Sequence, residues 1–126
     1  DRMFGEHNSW WDRLEKAREK AQQHKVIILL KNQYTFLILP DGDVLINPTG
    51  NPAMATGGMG DVLTGMIAAF LAQGYPSADA ATIACYIHGQ AGDELKRVRG
   101  MFSIPPRYII AMLPEMINRY TVSEKA

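Results

Sequence analysis

The chain has 126 residues, of which 47% are hydrophobic, 21% charged and 9% aromatic, the composition of one globular domain rather than a disordered or fibrous chain. Thirteen Lys and Arg balance thirteen Asp and Glu, which leaves no summed basic field to hold nucleic acid or an anionic membrane non-specifically. The single Cys85 excludes an internal disulfide framework and, with seven Met, points to a reducing cytoplasm, while no window offers the ~18 uninterrupted apolar residues of a membrane span or the apolar core of a signal peptide. A start on Asp1 rather than Met is the pattern expected of a piece of a longer polypeptide, and equally of a tagged or trimmed start.

Ser9 before Trp10, Trp11 and Asp12 reads as a helix N-cap, and Trp10, Leu14, Ala17 and Ala21 then recur at helical spacing opposite a charged face. Both Trp residues are expected to pack under this helix. Residues 26–30, Val-Ile-Ile-Leu-Leu, form a short β-branched apolar run, as in a central strand buried on both faces of a parallel or mixed sheet, and a parallel strand is expected over 26–31. Residues 35–39 and 44–47 flank Pro40-Asp41-Gly42-Asp43 and predict a β-hairpin, because Asp-Gly supplies the positive φ of a tight turn.

Residues 48–60 carry too many glycines and prolines for a regular element and read as a long loop. Residues 61–72 then form a helix that is apolar on nearly every side, which should pack on a sheet and also on another subunit or on upstream elements. Ser77 is placed to cap a helix over 78–97, closed by Gly100, with His88 a packed core histidine in its apolar stripe. Pro105-Pro106 opens a last helix that Pro114 should kink or split. His7 and His24 have no ligand-spaced neighbours and read as surface residues; no metal site is expected from the side chains of this chain.

Chemistry concentrates at Gly57-Gly58-Met59-Gly60, which runs directly into the helix beginning at Asp61. Consecutive glycines let N–H groups converge, and the positive end of the helix dipole adds to them, so the junction suits phosphate or a developing anion. Asp61 is either a helix cap or an acid placed to take a proton from a hydroxyl beside that anion, and Thr56 and Thr64 carry the same capping alternative. No Walker loop or spaced dinucleotide fingerprint is present.

The longer string Asn47-Pro48-Thr49-Gly50-Asn51-Pro52-Ala53-Met54-Ala55-Thr56-Gly57-Gly58-Met59-Gly60-Asp61-Val62-Leu63-Thr64-Gly65 closely resembles the signature of the ATP/ADP-dependent NAD(P)H-hydrate dehydratases, a branch of the ribokinase-like superfamily. Lys31-Asn32-Gln33-Tyr34-Thr35 is similar to that family's Lys-Gly-x-x-Thr segment, and His88-Gly89-Gln90-Ala91-Gly92-Asp93 to its His-Gly-x-Ala-Gly-Asp helix. Asn32 and Ala53 stand where the family has glycine, and Met59 where it has a small residue, commonly Thr; Ala53 would cost about 1 kcal/mol if its φ were positive.

The resemblance implies the C-terminal portion of an α/β, ribokinase-like three-layer sandwich, with residues 1–126 forming part of one domain whose upstream half lies elsewhere. It implies repair of hydrated NADH or NADPH: ATP or ADP, with Mg²⁺, phosphorylates the ring hydroxyl, and loss of phosphate regenerates the dihydronicotinamide. Asp61 would be the base and contact the substrate, Asn51 would contact substrate or make local turn bonds, and N–H groups of Gly58, Met59 and Gly60 would form the anion hole. Lys31, Asn32, Gln33, Tyr34, Thr35 and Gly60 would hold the nucleotide. The family also suggests a homo-oligomer and allows an epimerase domain upstream, with activity expected of the full-length protein rather than of this piece. Two alternatives are another ribokinase-like kinase for a sugar or hydroxymethylpyrimidine, and a non-catalytic nucleotide-binding module.

Overall fold

The computed structural model describes residues 9–31 and 34–125, the side chains of 121–125 excepted. The chain divides into two compact units, Asp1–Asn47 and Pro48–Ala126.

The first unit packs helix α1 (Trp10–His24) on an antiparallel sheet of β1 (Ile28–Lys31), β2 (Thr35–Ile38) and β3 (Val44–Asn47), ordered β1-β2-β3. Ser9 caps α1 as expected, its hydroxyl accepting from the Asp12 N–H at 3.1 Å, and Lys25 ends the helix in a left-handed conformation. Leu14, Ala17 and Ala21 meet Leu30 and Ile38 in the core, with Trp10, Ile28, Phe36 and Val44 against them. Trp10 packs edge-on against Phe36 at 5.0 Å, whereas Trp11 is 75% exposed. The two neighbours point about 100° apart around a helix, so a single buried stripe admits only one of them.

The hairpin is in the expected place, with Thr35 opposite Asn47 and Ile38 opposite Val44. Its turn is closed by the Leu39 N–H on the Asp43 carbonyl at 2.8 Å, with Gly42 at φ 93°. The parallel pairing expected of residues 26–31 is corrected among the described residues: β1 pairs antiparallel with β2, which a mixed sheet allows, with Leu30 buried and Ile28 and Leu29 half-buried.

The second unit contains a 3-10 turn (Pro52–Met54) and helices α2 (Met59–Ala72), α3 (Ser77–Arg99) and α4 (Pro106–Lys125). Helix α3 packs on both α2 and α4, and its buried stripe runs through Ala80, Ala84, Ile87, His88, Ala91 and Leu95. Pro76 rather than Ser77 is its N-cap, and Gly100 ends it at φ 62°. Glu94 bridges to Arg97 of α3 and Arg119 of α4 at 3.0 and 3.3 Å; hydrogen bonds from these two guanidinium groups hold its carboxyl below the usual range. Helix α4 continues through Pro114 without a break.

Helix α2 is not buried all round. Met59, Leu63, Met66 and Phe70 face inward, while Thr64, Gly65, Ala68, Ala69 and Leu71 are exposed. One helix can turn only a stripe toward two neighbouring helices, so its apolar outer face stays open in this unit. No described helix is long and apolar enough to cross a membrane.

The 49–54 segment lies directly on α3. A Cβ on Gly89 would come within 2.1 Å of Thr49 Oγ1 and 2.7 Å of the Gly50 backbone nitrogen, and one on Gly92 within 2.1 Å of the Met54 sulfur. Gly89→Ala must displace backbone, and we expect it to cost about 1–3 kcal/mol even though alanine adds ~1 kcal/mol of helix propensity. Gly92→Ala meets only the end of a flexible thioether and should cost less than half as much. Urea unfolding of the two variants beside the parent checks this order; a Gly89→Ala protein as stable as the parent would show that the loop is not seated on α3.

Candidate functional site

The glycine junction begins with Gly58, the N-cap of α2, at φ 88°. That left-handed conformation is costly for any residue with a Cβ, and a Cβ there would also press on Pro106 at 3.3 Å. Gly57 and Gly60 differ: a Cβ on either would meet nothing within 4 Å. Packing among the described residues does not require glycine at these two positions, which leave the approach to the helix end bare.

The first turn of α2 has donors to offer. The first intrahelical bond runs from the Val62 N–H to the Gly58 carbonyl at 3.2 Å, and the N–H groups of Gly57, Gly58, Gly60 and Asp61 have no partner among the described residues. The Met59 N–H donates to the Thr56 carbonyl at 3.3 Å, and its side chain is 4% exposed. Of the expected anion hole, Gly58 and Gly60 therefore keep outward donors, Met59 is occupied by an internal turn, and Asp61 adds a donor that was not expected. Because Met59 points inward, its replacement of a small polar residue extends the core instead of altering the exposed surface.

Asp61 is the third residue of α2 rather than its cap. Its side chain is exposed and makes no hydrogen bond or ion pair among the described residues. It therefore stands beside unpaired N–H groups at the positive end of a helix, where a negative group is favoured by about 0.3–1 kcal/mol. The threonines have local roles: Thr64 donates back to the Gly60 carbonyl at 3.0 Å, and Thr56 donates to the Ile104 carbonyl at 2.8 Å.

Asn51 makes the local bonds that were one of its two expectations. Its Oδ1 accepts from the Ala53 N–H at 3.0 Å, capping the 3-10 turn, and its Nδ2 donates to Asp93 Oδ1 at 2.9 Å. Asp93 Oδ2 accepts from the Gly50 N–H at 3.0 Å. Thr49 Oγ1 donates to the Tyr86 carbonyl at 3.0 Å, and the Ile104 N–H to the Ala53 carbonyl at 2.8 Å. Ala53 lies within the 3-10 turn, and Lys25 is the one described non-glycine residue at positive φ, so the feared backbone cost at Ala53 does not arise.

Asp93 and Thr49 stand in the motif strings with no role given to them by the sequence, and Ile104 stands in none. For Asp93 a signal existed: Gly89, Gly92 and Asp93 stand at i, i+3 and i+4, one face of a helix on which two side chains have been removed and a carboxylate placed beside the gap.

In the first unit, the register sets Lys31 directly across from Thr35, so the two motif residues share the end of the β1–β2 ladder. Lys31 and Tyr34 are exposed, and Lys31 has no partner among the described residues. Asn32 and Gln33, expected in the nucleotide site, and His7 lie outside the described residues. His24 is exposed and His88 is buried, both as expected. Among the described residues no three His, Cys, Asp or Glu side chains gather as a metal site.

Comparison with known proteins places this geometry. The family model for NAD(P)H-hydrate dehydratase matches residues 1–115. The bifunctional NAD(P)H-hydrate repair enzyme Nnr of Moorella thermoacetica is 46% identical over 107 residues, which is 85% of this chain and 20% of that protein. The ADP-dependent (S)-NAD(P)H-hydrate dehydratase of Bacillus subtilis is 36% identical over 108 residues, 86% of this chain and 39% of its own length.

The Bacillus subtilis ADP/ATP-dependent NAD(P)H-hydrate dehydratase co-crystallised with ATP/Mg²⁺ superimposes with a TM-score of 0.80 at 35% identity, over 87% of this chain and 40% of that one. A ribokinase-like superfamily protein of Enterococcus faecalis gives a TM-score of 0.76 at 34% identity, over 85% and 37%. The chain thus spans between about a fifth and two fifths of these relatives. The family model spans most of this chain, and the chain belongs to the NAD(P)H-hydrate dehydratase family, with the ribokinase-like fold of its solved neighbours.

Proposed function

We propose that the full-length protein carrying this chain dehydrates hydrated NADH or NADPH at the expense of ATP or ADP. The observation that carries this reading is the exposed, unpartnered Asp61 beside the outward N–H groups of Gly58 and Gly60. Asp61 takes the proton of the ring hydroxyl as its oxygen attacks the terminal phosphorus of the nucleotide. The phosphorus–oxygen bond to the nucleotide breaks, and the N–H groups and helix dipole stabilise the charge on the transferring phosphoryl group. The ring carbon then releases phosphate as a neighbouring carbon loses a proton, which restores the dihydronicotinamide.

Lys31, Tyr34 and Thr35 are assigned to the nucleotide, along with Asn32 and Gln33, and Asn51 is assigned to holding the loop because its amide is spent there. The described side chains do not form a cage for a divalent ion. Mg²⁺ would come with the nucleotide phosphates, and no step above runs through it. We place the protein in the cytoplasm on the strength of its single buried Cys85 and its cofactor-repair chemistry.

Bifunctionality in the name of the Moorella relative supports an epimerase domain upstream. The apolar outer face of α2 supports a cover supplied by the rest of the domain or by a second copy, and we expect the full-length protein to sediment as a homo-oligomer across the micromolar range; a clean monomer throughout would count against this.

Asp61→Asn keeps the side chain's size and gives up at most ~1 kcal/mol of dipole interaction. We expect hydrate-dependent NADH formation by the full-length variant to fall by at least ~100-fold, with nucleotide affinity little changed. Near-normal turnover would return Asp61 to a structural role. Lys31→Ala should do the reverse: a charge-assisted contact to phosphate is worth about 1.5–3 kcal/mol, so ADP binding weakens by about tenfold or more in calorimetry. Equal ADP affinity would remove Lys31 from the site. A sugar or hydroxymethylpyrimidine phosphorylated in preference to the hydrate would favour the other kinases of this fold.

A further inference from the structure

Three hydrogen bonds meet at the pair Asn51 and Asp93, and together they tie the start of the 49–60 loop to α3. Asp93 accepts from the Gly50 N–H with Oδ2 and from Asn51 Nδ2 with Oδ1, at 3.0 and 2.9 Å. Asn51 Oδ1 in turn accepts from the Ala53 N–H at 3.0 Å. Both side chains are part-buried, and both of the carboxylate's bonds are charge-assisted and directional. Downstream, the same stretch is pinned through Ala53 and Thr56 to the backbone of Ile104. Two residues after Thr56 comes Gly58, where the anion-binding turn of α2 begins.

We infer that Asp93 is a positioning residue for catalysis: through Gly50 and Asn51 it sets where the loop holds the Gly58–Asp61 turn. This rests on the proposed dehydratase reading, in which that turn receives the transferring phosphoryl group. Both oxygens of Asp93 are taken up by the loop, so in this proposal it acts through Gly50 and Asn51 rather than by direct contact. A shift of about 1 Å in a catalytic group costs on the order of 100-fold in rate, which is the scale on which a released loop should be felt.

The bonding pattern supplies a reciprocal test. In Asp93→Asn, one amide must accept from Gly50 and would then face the Asn51 amino group with its own, so at least one of the three bonds is lost. In Asn51→Asp, two carboxylates stand where one donor–acceptor pair stood and repel. In the double variant Asn51→Asp/Asp93→Asn, the new asparagine accepts from Gly50 and donates to the new aspartate, whose other oxygen caps Ala53. All three bonds return with the charge moved to the other side of the pair.

The four full-length proteins are compared for kcat and KM in hydrate-dependent NADH formation, ADP affinity by calorimetry, folded fraction at the assay temperature by circular dichroism, and amide hydrogen exchange across residues 49–57. Each single variant should lose about 10–100-fold in kcat, keep ADP affinity within about threefold, and exchange faster across the loop. The double variant should recover kcat to within about threefold of the parent and slow the exchange again.

Single variants with parental kcat overturn the proposal, as does a kcat loss that merely follows the folded fraction. A double variant as impaired as the singles also overturns it, and would assign these side chains to direct contact with substrate. If the parent itself turns over no hydrate, the dehydratase reading fails instead; the exchange data then stand alone, and a loop equally protected in all four proteins overturns the clamp.

Discussion

The structure depends on how closely the backbone at Thr49 and Gly50 approaches helix α3. At Gly89 there is no room for even one carbon, because a Cβ would lie 2.1 Å from Thr49 Oγ1 and 2.6 Å from the Thr49 carbonyl carbon. That approach brings the Gly50 N–H and the Asn51 amide within hydrogen-bond distance of the Asp93 carboxylate one turn further along. A loop rich in glycine and proline has little secondary structure with which to order itself. This one is ordered by the helix it touches, through two charge-assisted bonds to Asp93 that offset part of the entropy of fixing it, beside the burial of Ala53 and Met54.

A loop held in this way can present backbone groups that would otherwise be lost to solvent or to one another. Gly58 turns the chain through a left-handed conformation into α2, and the opening N–H groups of that helix face outward beside Asp61. These are fixed dipoles that need no reorganisation when negative charge arrives, the arrangement in which electrostatic stabilisation acts most effectively. The inward face of the same turn, led by Met59, belongs to the core. Two consecutive residues therefore divide the labour, Met59 anchoring the helix end and Gly60 leaving it accessible.

Much of this was legible in the chain itself. The Ser9 cap, the Asp41-Gly42 hairpin turn, the Gly100 helix stop and the helix after the glycine loop all follow from local rules, because each depends on residues adjacent in sequence. The place of Asp61 in the first turn of the helix after the glycines was legible for the same reason, and the long string around it pointed to the family that the comparisons then showed. The antiparallel pairing of β1, the exposure of Trp11 and the open face of α2 were not legible. Each depends on which neighbour covers a given face, and an apolar run looks alike whether one face is covered or two.

By itself the sequence determined the order of the elements and the helix that opens directly after the glycine run, since both are settled within a few residues. Tertiary structure alone decided which partners Asn51 and Asp93 bond. They stand 42 positions apart, and nothing local to either distinguishes a substrate contact from a structural bond. It likewise decided that Met59 gives its N–H to Thr56 and its side chain to the core, and that Lys31 faces Thr35 across a ladder. Hydrogen-bond partners separated in sequence are chosen by packing, and here the packing was chosen by two glycines that let a loop lie against a helix.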